Sequence, residues 1–291
     1  MATLAQEAPL VVIVGPTASG KTALAIRVAQ EADGEVICGD SRTVFRGMDI
    51  GTAKPSREER QGVVHWGLDL ADPGDRYTAA AWQAYARECI ADIRSRGKVP
   101  IVTGGTGLYI DGLIFDYQYP AEPSANERAR FEKMSSEELY KYCIDNNIEL
   151  PENDKNKRHL VRHAMHEGQY LQRRENIIEN TIVVGIATDN EQLRLRIAQR
   201  TEQMFADGVV KEARSLGNKY GWNSEAMTGN IYPLLREHIE RSASLEEVKE
   251  AFRYRDWQLA KRQMTWFRRN PYIAWGTTAD CEKYIVEALA R

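Results

Sequence analysis

The chain has 291 residues, 43% of them apolar and 28% charged, with a net charge of -3 at neutral pH. Such a composition is that of an ordinary globular protein, long enough for one large domain or a core domain carrying an insertion. It excludes blanket coating of nucleic acid, though a local basic surface stays open. No apolar run is long enough to span a bilayer, and Met1 to Pro9 lacks the basic start and long apolar segment of a secretory signal. A cytoplasmic protein with no membrane partner is therefore expected. Cys38, Cys89, Cys143 and Cys281 are far apart and form no C-x-x-C pair, which suggests neither a zinc site nor a disulfide framework and points to a reducing compartment.

The run Leu10 to Val14 reads as a buried strand, and Ala23, Leu24, Ile26 and Val28 begin a helical pattern. Between them Gly15, Pro16, Thr17, Ala18, Ser19, Gly20, Lys21 and Thr22 satisfy the phosphate-loop pattern G-x-x-x-x-G-K-[ST] at every fixed position. Glycines let the backbone turn its N–H groups toward an anion, and the helix start adds a positive end, so two or more phosphates can be held there. Lys21 supplies a full charge, and the Thr22 hydroxyl is placed to bind a magnesium ion carried in by the phosphates. The alternative is a glycine turn that only ends a strand.

Glu35 to Cys38 reads as a second buried strand, following a helix from about Ala23 to Ala32 and ending at Gly39-Asp40-Ser41. Helix followed by parallel strand is the unit of an α/β domain, whose ligands sit at the C-terminal strand ends. Asp40 then shares a rim with the phosphate loop, unless it merely caps the next helix. Met48 to Pro55 is a loop expected to carry Lys54 toward the same rim. Val63 to Leu70 looks like another strand with a turn at Asp72-Pro73-Gly74, and His65 on it is either a base or structural. Thr78 to Arg96 is helical, and Val99 to Val102 is a strand that runs into Thr103-Gly104-Gly105-Thr106-Gly107-Leu108-Tyr109. Backbone in this second glycine loop can closely approach a ligand.

From about Tyr117 to Ile178 the α/β rhythm is lost, and prolines punctuate short polar helices that read as an insertion. Its Lys155, Lys157, Arg158, Arg162, Arg173 and Arg174, with Tyr170 between, form either a basic face or merely a solvated one. Thr181 to Ala187 returns to a buried strand. The helix from about Asn190 carries Arg194, Arg196 and Arg200, whose guanidinium groups suit a phosphate rim. Ser244 to Glu247 fits a capping box and starts a helix to about Phe267. Along it Arg253, Arg255, Lys261, Arg262, Arg268 and Arg269 alternate with Tyr254, Trp257, Trp266 and Phe267, the best nucleic-acid candidate in the chain unless the aromatics are core. There is no internal repeat. The expected fold is α/β, a P-loop NTPase-like parallel sheet flanked by helices over residues 1–116 and 179–291, with a helical insertion over 117–178.

Several of these stretches together closely resemble the tRNA dimethylallyltransferases, also called tRNA isopentenyltransferases. They are Gly15 to Thr22, Asp40-Ser41 followed by Gly47 to Pro55, Gly104 to Tyr109, and Lys261 to Arg268, in the family's order. The resemblance implies transfer of a dimethylallyl group from its pyrophosphate to the exocyclic amine of the adenosine 3′ of the anticodon. It implies Asp40 as general base, Arg200 and Mg2+ at the pyrophosphate, and Thr106 in the reaction channel. Its tRNA contacts map onto Asp40, Ser41, Arg42 and Thr43, onto Arg158 to Arg162, onto Met227 to Tyr232, and onto Lys261, Arg262, Gln263, Thr265 and Arg268, with the insertion gripping the anticodon stem-loop of a tRNA bound by a monomer.

Departures from the family pattern are Thr43 in place of glutamine, Trp66 in place of a basic or histidine residue, His159 and Met165 within the 158–165 stretch, Thr228 to Pro233, and a shorter insertion. An adenylate isopentenyltransferase acting on free nucleotide, a P-loop small-molecule kinase and a non-catalytic RNA-binding module remain as alternatives.

Overall fold

Short apolar runs separated by amphipathic helices have one economical layered arrangement, a parallel sheet with helices on its faces. In the computed structural model, which describes residues 7–168, 171–229, 231–241 and 243–290, the runs become β1 (Leu10–Val14), β2 (Gly34–Cys38), β3 (His65–Trp66), β4 (Val99–Gly104), β5 (Thr181–Ile186) and β6 (Ala274–Gly276). They form one sheet in the order β3-β2-β4-β1-β5-β6, and every pairing is parallel. Every residue of β1 is fully buried at the middle of this sheet. Tyr170 and Asn230 lie outside the described residues, as do residues 1–6.

One compact unit comprises Met1–Phe115 with Asn176–Arg291, and a second comprises Asp116–Glu175. In the first, α1 (Lys21–Glu31), α2 (Ala79–Ser95) and α3 (Gly107–Ile114) follow β1, β3 and β4. Leu24, Ala25, Val28 and Ala29 of α1 pack with Val11, Ile13, Val36 and Ile101 of the sheet. The second unit holds α4 (Ala125–Lys133), α5 (Ser136–Asp145) and α6 (Lys157–Met165) around Phe131, Leu139, Cys143, Leu160 and Val161. Capping boxes at Ser124 and Ser135 start two of these helices.

The first unit resumes with α7 (Asn190–Ala206), α8 (Val209–Tyr220), a short turn at Ala226–Thr228, α9 (Tyr232–Arg241), α10 (Leu245–Phe267) and α11 (Thr278–Leu289). Ser244 accepts from the Glu247 N–H, and the Glu247 carboxylate accepts from the Ser244 N–H at 2.8 Å, the capping box read from the sequence. The strand read over Val63 to Leu70 is shorter than expected. Only His65 and Trp66 pair with β2, because Gly67 and Asp69 take positive φ values of 82° and 57° and turn the chain away. All four cysteines are free and buried. Burial pushes the Cys38 thiol up to about 12 and raises those of Cys89, Cys143 and Cys281. Among the described residues no helix is long and apolar enough to cross a membrane.

Candidate active site at the strand ends

Parallel pairing fixes which loops meet. Val14 lies opposite Gly104, and Cys38 opposite Thr103, so the chain leaves β1, β2 and β4 on one rim. There a cleft of about 1370 Å³ is lined by Thr17, Lys21, Thr22, Asp40, Thr106, Arg200, Asp256, Arg262 and Gln263, among others. Phosphate loop and Asp40 thus share one site.

Gly20 takes φ 93° at the N-cap of α1 and offers no side-chain acceptor, and the first turn holds no acidic residue. The first N–H groups of α1 therefore remain for a ligand, with the helix dipole behind them. Ser19 Oγ is buried with no hydrogen-bond partner among the described residues. Lys21 Nζ donates to Pro16 O at 2.6 Å. Desolvation lowers the Lys21 ammonium to about 8, against the attraction of the nearby Asp40 carboxylate.

No helix follows Asp40, so the capping alternative gives way to a local turn in which Asp40 Oδ1 accepts from Arg42 N at 2.9 Å. Thr43 Oγ1 donates to Asp40 O at 3.3 Å, and Ser41 N donates to Thr106 Oγ1 at 3.0 Å. The Arg42 guanidinium donates to the carbonyls of Glu225 and Ala226, tying the 40–43 turn to the Ala226–Thr228 turn. Met227 and Tyr232, expected near the RNA, are buried.

Of the α7 arginines, Arg196 donates to Ser19 O at 3.3 Å and Arg200 to Asp256 Oδ2 at 2.5 Å. Both line the cleft, as expected of residues facing the phosphate rim. Arg194 instead lies over the Trp257 ring, 4.1 Å from its centroid. Asp256, which the sequence reading passed over among so many basic neighbours, is only 1% exposed. Its place seven residues before Gln263, on the same face of α10, is the signal that marks it.

Gln263, expected among the RNA contacts, has two protein partners in the cleft. Its side chain is buried; Oε1 accepts from Thr17 N at 2.7 Å and Nε2 donates to Gly105 O at 3.1 Å. Lys261, Arg262, Thr265 and Arg268 are exposed at the same end of α10, with Thr265 Oγ1 donating to Lys261 O. Arg158 and Arg162 are exposed on α6 in the second unit. Of the aromatics on α10, Phe267 is fully buried, the Trp266 indole donates to Asp111 Oδ2 at 2.6 Å, and Tyr254 is 65% exposed. Phe267 is thus core, as the alternative reading had it.

Lys54 requires a correction. Its side chain is 3% exposed, and Nζ donates to Phe45 O, Asp49 Oδ1 and Asp69 Oδ1 at 2.7, 2.6 and 2.7 Å. Burying an ammonium is tolerable only with such compensation, and the loop closes around Lys54 instead of presenting it to the rim. His65 is structural: Nδ1 lies 2.9 Å from Val63 O, and burial lowers its pKa. The second glycine loop lines the cleft with Gly104, Gly105 and Thr106, and protein also lies close against its glycines. A Cβ at Gly104 would overlap the Gly39 carbonyl, one at Gly105 the Gln263 amide, and one at Gly107 the Trp266 indole. Glu212 was not foreseen either. Its carboxylate accepts from the N–H groups of Asp49, Ile50 and Gly51 and from the Tyr232 hydroxyl, fixing the loop that forms one wall of the cleft.

The sheet, the loop at the end of its central strand and the anion-ready start of α1 define a P-loop NTPase-like protein. Comparisons with known proteins narrow the class. The family described as IPP transferase matches residues 43–270, and that described as isopentenyl transferase matches residues 8–69. A tRNA dimethylallyltransferase of Anoxybacillus flavithermus is 36% identical over 93% of this chain and 91% of its own. Among solved structures, the full-length tRNA isopentenylpyrophosphate transferase of Bacillus halodurans is 29% identical with a TM-score of 0.75, covering 98% of this chain and 97% of its own. The tRNA delta(2)-isopentenylpyrophosphate transferase of Staphylococcus epidermidis is 31% identical with a TM-score of 0.72, covering 96% and 97%. The chain belongs to the IPP transferase family.

Proposed function

We propose that this protein transfers a dimethylallyl group from dimethylallyl pyrophosphate to the N6 amine of the adenosine 3′ of a tRNA anticodon, releasing pyrophosphate. The observation that carries this reading is the shared cleft of the phosphate loop and Asp40 in a chain of this family. A new C–N bond forms as the C–O bond to pyrophosphate breaks, and the leaving oxygen takes the bonding pair.

Charge therefore grows on the pyrophosphate, where preorganised donors count most. The N–H groups of Ala18 and of Gly20 to Thr22, the Lys21 ammonium and the Arg200 guanidinium supply them, the Ser19 N–H being given to Pro16 O. Among the described residues no group of three His, Cys, Asp or Glu gathers to hold a metal ion. The donors at hand, the Thr22 hydroxyl and the oxygens of an incoming pyrophosphate, are hard oxygens that fit Mg2+, which when bound would offset part of the developing charge. Asp40 accepts the N6 proton as the C–N bond forms, and Thr106 helps hold the amine.

An adenine stacked in an anticodon loop cannot reach a strand-end cleft, so the base enters flipped out. The exposed cations Lys261, Arg262 and Arg268, with Thr265, meet the RNA backbone, while Asp40 to Thr43 face the flipped base. Residues 117–178 act as an insertion that grips the anticodon stem through Arg158 and Arg162, on a core of residues 1–116 and 179–291. The enzyme works as a cytoplasmic monomer. The test is prenyl transfer from labelled dimethylallyl pyrophosphate to an unmodified anticodon stem-loop and to AMP. Transfer to the stem-loop is expected, and preference for AMP would overturn the reading.

A further inference from the structure

The inner face of α10 does something its exposed basic residues do not. Gln263 is 9% exposed and reaches into the gap between the two glycine-rich loops. Its carbonyl takes the Thr17 N–H, 246 residues away in sequence, and its amide nitrogen donates to Gly105 O, 158 residues away. The second loop is cut to receive it, since a Cβ at Gly105 would overlap the Gln263 amide. Beside Gly105, the Thr106 hydroxyl accepts from the Ser41 N–H, and Ser41 adjoins Asp40. A continuous path of hydrogen bonds and single peptide units thus runs from the phosphate loop through Gln263 to the carboxylate.

We propose that Gln263 is a positioning residue for the transfer, holding the phosphate loop at a fixed separation from Asp40, and that it is not an RNA contact. This rests on the prenyl-transfer reading above. Its neighbours support the division of roles: Lys261 and Thr265 are exposed outside the cleft, Arg262 is exposed at the cleft's edge, and Gln263 and, two turns earlier, Asp256 are buried against the cleft, where Asp256 holds Arg200. One helix then carries a basic outer side and a frame for the prenyl-donor site on its inner side. A primary amide suits the task because it donates and accepts at once and adds no charge beside a pyrophosphate. Small errors in the separation of reacting groups are costly, so a residue that sets this distance acts on the rate without touching substrate.

The test uses the full chain with Gln263→Met, which keeps the side chain's length without its amide, and Gln263→Ala. Four quantities are read: KM for dimethylallyl pyrophosphate with kcat, Kd of inorganic pyrophosphate, Kd of an anticodon stem-loop over a range of salt, and the melting temperature. Losing both hydrogen bonds is expected to raise KM and the pyrophosphate Kd about tenfold and to lower kcat by a similar factor. Stem-loop affinity and its salt slope stay at the parent values. A variant that loses stem-loop affinity while keeping pyrophosphate affinity would overturn the proposal in favour of an RNA contact. Variants that melt lower yet keep KM, kcat and pyrophosphate Kd well below that temperature would overturn it in favour of an ordinary core residue. A parent protein that binds no pyrophosphate would instead overturn the prenyl-donor reading, and the positioning role with it, which separates the two failures.

Discussion

The two glycine-rich loops, Gly15 to Thr22 and Gly104 to Gly107, leave adjacent strands of the same sheet and look alike in composition, yet Gly20 of the first and Gly104, Gly105 and Gly107 of the second use glycine in opposite ways. In the first, Gly20 has nothing within 4 Å of where a side chain would project, and its φ of 93° serves to open the start of α1 to an anion. In the second, the missing side chains are filled by protein: the Gly39 backbone, Gln263 and Trp266. Glycine offers conformational freedom in one place and volume in the other. A glycine loop at a strand end is therefore not by itself a ligand contact; what lies against it decides.

Asp40 follows β2, on the far side of the second loop from the first, and Asp40→Ala makes the largest break in this arrangement. Prenyl transfer is expected to fall about 10²- to 10⁴-fold, the range of a lost general base, while stem-loop binding persists. Parallel loss of stem-loop binding would show that Asp40 holds the base instead. The next effect separates the loops directly, in urea denaturation. Gly104→Ala should cost about 1–3 kcal/mol of stability, because backbone must move to admit the methyl group. Gly20→Ala should cost about 1 kcal/mol through its φ alone and should weaken pyrophosphate binding. Equal stability losses, with pyrophosphate affinity intact in both, would erase the distinction.

Smaller effects sharpen the first loop's part. Lys21 is charged below about 8 and neutral above it. Pyrophosphate affinity should hold on the acid side and weaken as pH rises through that value, and titrations of the parent against Lys21→Met should show the step only in the parent. Smallest is Lys261→Ala on the outer side of α10. It should weaken stem-loop binding and reduce the salt slope by about one ion, with pyrophosphate affinity unchanged.

Much of this was legible because local rules dominate it. The phosphate loop follows a fixed pattern, and the Ser244 capping box marks the start of α10. The helical pattern over Thr78 to Arg96 likewise becomes α2 (Ala79–Ser95). What escaped depends on residues distant in sequence. The placement of β4 between β1 and β2 follows from pairing across the chain and not from any one segment. Lys54 reads as a cation bound for the rim until Asp69 is seen to close on it. Asp256 and Glu212 are acids on charged helices with no local motif around them. Their partners, Arg200 for one and the 49–51 backbone for the other, come from other elements. Gln263 was noticed, but within a basic run whose outward character hid the inward turn of one residue.

The four cysteines have a practical consequence. The thiolate is the form that attacks such reagents, and burial favours the thiol form of Cys38, Cys89, Cys143 and Cys281 while shielding them. The native chain is thus a chemically quiet background for maleimide or disulfide cross-linking. A single cysteine introduced at the exposed Thr265 would be the fast-reacting thiol, so a probe or cross-linker can be set on the outer side of α10 without first removing native sulfur.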